Sequence, residues 1–96
     1  MTDTAAPVVR RAILDLLNDV GGELNHDVLT MNLTQLGHPV ARRDVLAALE
    51  FLAAEHLVAT ERLGNYTVAR ILEDGRDLAE GRLRNVAGVH RFKTGD

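Results

Sequence analysis

Along the chain, apolar residues recur first at helical spacing and later at alternating spacing, and the change between the two orders the elements. Val9, Ile13, Leu16, Leu17 and Val20 fall on one face of a first helix, with Arg10, Arg11, Asp15 and Asn18 off it. Pro7 suits the opening turn, where its missing N–H costs nothing, and Gly21–Gly22 stop the helix. A very short strand fits around Glu23 and Leu24. Asn25 then caps a second helix whose apolar stripe is Leu29, Leu33 and Leu36, with Val28 and Asn32 beside it and Asp27 at the positive end. Gly37 ends that helix, and Pro39 forces His38 out of helical angles, so a tight turn follows.

The pattern predicts a third helix over residues 41–55 with a core stripe of Val45, Ala48, Leu49 and Leu52. His56 falls just past its end, at a position that calls for left-handed backbone. Two runs rich in branched residues flank Gly64–Asn65, the signature of a two-residue type II′ hairpin. A short last helix covers "EDGRDLAEGR", with Leu78 and Ala79 inward, Gly75 weakening it and Gly81 closing it. The remainder, "LRNVAGVHRFKTGD", lacks periodicity and reads as an irregular or partner-ordered tail.

Composition narrows the functions available. The chain has 96 residues, enough for one domain, and a net charge of −3. It contains no cysteine and no serine, which excludes thiolate metal sites, cysteine nucleophiles and a Ser–His–Asp triad. The aromatic side chains Phe51, Tyr66 and Phe92 are too few for a base-stacking platform. "MTDTAAP" has neither a basic n-region nor an apolar h-region, and no apolar run is long enough to span a bilayer, so the chain reads as soluble and cytoplasmic. Charge is uneven: the body is acidic, whereas Arg82, Arg84, Arg91 and Lys93 make residues 82–96 basic. A basic tail suits phosphate or an acidic partner, and equally a solvated terminus.

The order helix, tiny strand, helix, turn, helix, hairpin, helix resembles the winged helix-turn-helix, an α+β fold with a three-helix core, a two-stranded β-hairpin wing and a short C-terminal helix. "ALEFLAAEHLV" is similar to the "ALxxLxxxGLV" phrase that closes the third helix in such regulators. "YTVARILEDGRDLAEG" is similar to their "YxLTxxGxxLAxG" exit. The likeness covers residues 8–81, between an N-terminal segment (1–7) and the basic tail (82–96). "LTQLGHPVARRDV", "LAAEHLV", "ILEDGRDLAEGR" and "VAGVHRF" together resemble small winged-helix proteins of Mu-like prophages, loosely ArsR-like, with Phe92 where those carry proline.

The resemblance implies a DNA-binding regulator that puts the third helix in the major groove. Double-stranded DNA would then meet Arg42 and Arg43, with Arg62 on the wing and Arg82 and Arg84 in the tail as phosphate contacts. The helical wheel argues for an alternative. With Val45 inward, Arg43, Ala47, Glu50 and Ala54 point out and Leu46 and Phe51 lie on the flanks. Beyond its first turn that face is small, apolar or acidic. Leu46, Ala47 and Phe51 therefore suit a protein interface in an interaction or assembly module. Winged-helix regulators commonly form homodimers through terminal elements, so "VVRRAILDLL" is either a dimer seam or plain core. Four scattered histidines (His26, His38, His56, His90) lack ligand spacing, so no metal, cofactor or catalytic residue is expected, and no enzyme activity.

Overall fold

The helices stop where the chain turns left-handed. In the computed structural model, which describes residues 5–83 and 85–93, α1 (Ala6–Asp19), α2 (His26–Gln35), α3 (Arg42–Ala54) and α4 (Glu73–Ala79) are each followed by a residue of positive φ. At these ends the next amide reaches back to a carbonyl in the last turn, as in Gly22 N to Leu17 O at 2.7 Å and His38 N to Leu33 O at 2.8 Å. Glycine fills this position after α1, α2 and α4. After α3 it is His56, at φ 60°, the place the sequence pattern assigns to it.

Helix starts follow from local chemistry as well. Asn25 Oδ1 accepts from Val28 N at 2.9 Å, the N-cap bond expected of that residue. Ala41 has no side-chain oxygen, so at α3 only the return half of a capping box forms, with Asp44 Oδ2 accepting from Ala41 N at 3.0 Å.

Three strands complete the α+β architecture: β1 (Glu23–Asn25), β2 (Val58–Leu63) and β3 (Tyr66–Ile71), in the antiparallel order β1-β3-β2. Leu63 pairs with Tyr66 across Gly64–Asn65, and of the two central residues only Gly64 has positive φ, as a type II′ turn requires. Four helices with a three-stranded antiparallel sheet are compatible with a winged helix.

One core joins the layers. Ile13, Leu14 and Leu17 of α1 meet Leu29 and Leu33 of α2, Val45, Leu49 and Leu52 of α3, Leu57 and Val58 at the start of the hairpin, Ala69 and Ile71 of β3, and Leu78 of α4. Each of the Val, Leu and Ile side chains contributes about 1.5–3 kcal/mol by leaving water. For most of its residues "VVRRAILDLL" is therefore core, because Val9, Ala12, Ile13, Leu14 and Leu17 are all buried inside the domain.

Three sequence expectations are corrected here. Leu36 and Val20, placed on apolar stripes, are exposed, since each lies one residue past its helix and has turned away from the core. Arg11 and Asp15, placed off the core face, are buried as a pair. Residues 85–93 of the tail are irregular but docked. Val89 is buried, His90 N donates to Pro7 O at 3.0 Å, and Arg10 Nη1 donates to Gly88 O at 2.9 Å.

Candidate nucleic-acid interface

The tight turn after α2 sets the first turn of α3 at the surface. Arg42 and Arg43 both lie there, exposed. Arg43 has no ion-pair or hydrogen-bond partner among the described residues. Arg42 does. Its Nε lies 2.6 Å from Asp27 Oδ1 on α2, while its side chain stays 69 % exposed. The contact is an ion pair by distance, although the N–H is not aligned for a directed hydrogen bond.

Asp27 belongs to a small cluster that joins three elements. The neighbouring His26 is buried, and its Nδ1 accepts from Thr67 N at 3.0 Å, which pins the hairpin to α2. Its Nε2 lies 3.8 Å from Asp27 Oδ1, and its ring lies 6.1 Å from that of Tyr66. The sequence pattern places Asp27 at the start of α2 and does not connect it to Arg42. No local signal could do so, because α2 and α3 meet only through the fold. No group of three or more His, Cys, Asp or Glu is placed to hold a metal among the described residues.

Between α3 and the hairpin runs a groove of about 330 Å³ lined by Leu46, Leu49, Glu50, Thr60, Arg62 and Thr67. Leu46 is half-buried in it, whereas Ala47 is exposed on the outer face of α3. Arg62 folds over the hairpin tip, its Nε donating to Gly64 O at 2.9 Å, and keeps an exposed position. Phe51 lies on the opposite flank of α3. It is half-buried under the docked tail, with the Arg10 guanidinium 3.8 Å from its ring centre and Gly88 against its edge.

Arg82 is turned to its own helix. Nη1 bonds Glu80, while Nε and Nη2 bond Asp77 at 3.2 and 2.8 Å. The bond to Glu80, seconded by Asp77, raises the Arg82 pKa, and the bond from Arg82, seconded by Asn18, holds the Glu80 carboxyl below its ordinary value. This guanidinium is already engaged on two carboxylates. Arg84 lies outside the described residues. Among the described residues no helix is long and apolar enough to cross a membrane.

The structure thus places Leu46 and Arg62 in the α3–hairpin groove and leaves Arg42, Arg43 and Ala47 exposed on α3. It sets Phe51 and Arg82 apart from them. No family model and no solved structure matches the chain. Among proteins of known sequence it is similar to the uncharacterized protein gp26 of Escherichia phage Mu, with 40% identity over 82 residues, which cover 85% of this chain and 84% of that protein. Identity at that level along most of both chains is shared ancestry, in line with the phage relation that the sequence motifs suggest, and the chain belongs to the family of this phage Mu protein.

Proposed function

We propose that the chain is a winged helix-turn-helix module that binds double-stranded DNA as a phage regulatory protein, with α3 as its recognition helix. One observation carries this reading. Two arginines stand exposed on the first turn of α3, one of them without a partner, beside a hairpin whose tip carries a third. Arginine is the side chain best shaped to bond guanine edges or phosphate, and the N-terminal turn of a recognition helix is where base contacts fall. On this reading the protein acts in the cytoplasm as a homodimer on a twofold operator, without cofactor and without catalysis. The acidic body limits non-specific affinity, so sequence preference rests on a few contacts.

Binding to fragments near its own gene, followed by fluorescence anisotropy at low and moderate salt, tests this. The wild-type chain should prefer one sequence and weaken steeply with salt. Arg42→Ala with Arg43→Ala should lower affinity about 100-fold or more, the value of two lost arginine contacts. Absence of binding even at low salt ends the reading.

A second reading, a protein-interaction or assembly module, is favoured by the α3–hairpin groove. Glu50 borders it, Leu46 sits in it, and Leu63 and Tyr66 are exposed at the hairpin tip. Under it, Leu46→Glu should lower the mass seen by light scattering or release a partner recovered by pull-down. Unchanged mass and partners would dispose of this version.

A further inference from the structure

We infer that Asp27 is a specificity-determining residue: its ion pair with Arg42 Nε restrains that guanidinium beside α2 and leaves the two terminal nitrogens as a fork for one guanine of the bound duplex. The inference rests on the DNA-binding reading and deepens it.

The geometry separates the two ends of the guanidinium. Nε lies 2.6 Å from Asp27 Oδ1, and the terminal nitrogens make no hydrogen bond among the described residues. The side chain is nonetheless 69 % exposed, so the pair leaves the fork open instead of burying it. Bidentate contact with the O6 and N7 of guanine uses only the fork. A carboxylate on Nε therefore does not compete with base readout.

The anchor is itself held. Asp27 occupies the first turn of α2, where the helix end favours negative charge. Its Oδ1 is shielded from water and faces Arg42 Nε and His26 Nε2. His26 in turn is fixed by the Thr67 amide of the hairpin. A free arginine loses most of its side-chain freedom when it docks on a base, and a guanidinium already restrained loses less. Asp27 thereby restricts a flexible cation, able to meet any phosphate, to a position beside the first turn of α2.

The same carboxylate could act only by cancelling a positive charge, and the two roles differ in what they predict. Charge cancellation weakens binding to every sequence alike. Restraint of Arg42 alters discrimination at the base pair it reads. The test compares wild type, Asp27→Asn, Asp27→Ala, Arg42→Ala and the double variant Asp27→Ala with Arg42→Ala. Each is titrated against the preferred duplex and against duplexes with each guanine replaced in turn, at fixed salt, after thermal melts establish folding.

Arg42→Ala identifies the base pair that Arg42 reads. Asp27→Ala should cost about tenfold in discrimination at that pair, while leaving affinity for random DNA equal or tighter. In the Arg42→Ala background the effect of Asp27→Ala on discrimination should vanish. Asp27→Asn, which keeps shape without charge, should fall between. Asp27→Ala that tightens all duplexes by one common factor, or that leaves discrimination at that pair intact, overturns the inference while DNA binding stands. A wild-type chain that binds no DNA overturns both together, and the two failures are told apart by that first titration.

Discussion

Gly75→Ala should destabilise the domain by about 3 kcal/mol, the upper part of the range for overpacking a filled site. Helix propensity alone predicts the reverse, since glycine inside a helix is worth about 1 kcal/mol less than alanine. Packing decides the sign. A Cβ at position 75 would fall inside the Leu57 carbonyl oxygen, with Ile71 Cγ1 at 2.9 Å and the Leu57 carbonyl carbon at 3.0 Å. The obstacle is backbone. It cannot swing aside, because Leu57 O also accepts from Leu72 N at 3.0 Å, and Leu57 N closes α3 onto Leu52 O at 2.9 Å. For a domain of this size such a loss lowers Tm by roughly 12–24 °C. Thermal unfolding followed by circular dichroism checks it, and a variant that melts at or above the wild-type temperature contradicts the packing argument.

Arg11→Ala is expected to cost about 3–5 kcal/mol, the loss typical of removing one partner from a buried ion pair. Arg11 is only 4 % exposed. Its Nε bonds Asp15 Oδ1 at 3.0 Å, Nη1 bonds Arg91 O at 3.1 Å and Nη2 bonds Ala79 O at 3.1 Å. One guanidinium therefore ties α1 to the end of α4 and to the tail. Removing it weakens the hold on a buried carboxylate and takes the donors from two carbonyls. Against a typical total of about 5–15 kcal/mol this is a large share. Denaturant unfolding gives the loss. Hydrogen exchange gives its location, because the His90 amide, bonded to Pro7 O, should lose protection more than amides of α2. Unchanged midpoint and unchanged exchange at His90 would show that Arg11 does not hold the tail.

Much of the fold is legible from local chemistry. Asn25 caps α2, His56 takes left-handed backbone after α3, and Gly64–Asn65 turns the hairpin with positive φ on glycine alone. Each signal acts within four or five residues, so neighbouring residue types suffice to read it. The stripes of α1, α2 and α3 follow from helical period for Val9, Ile13, Leu29, Leu33, Val45, Leu49 and Leu52. The period misplaces Val20 and Leu36 because a stripe continued on paper takes no account of where the helix stops.

The candidate site was legible only in outline. Arg42, Arg43 and Arg62 stand out in the sequence as the bases nearest the α3 start and the hairpin tip, and the structure leaves all three exposed. Their partners were not foreseen. Asp27 meets Arg42 across two helices, Arg62 bends onto Gly64, and Arg82 spends its fork on Asp77 and Glu80. Charge and position along the chain do not say which carboxylate an arginine will find.

By itself, then, the sequence determined the elements, their order, their caps and most of their inward faces, because those depend on period and on near neighbours. Only the tertiary structure decided that Arg11 and Asp15 are buried, that the tail covers Phe51, that Gly75 admits no side chain, and that Asp27 holds Arg42. Each of these joins residues that are distant in the chain or set on different elements, and their energies come from contact and desolvation, which exist only once the elements have packed.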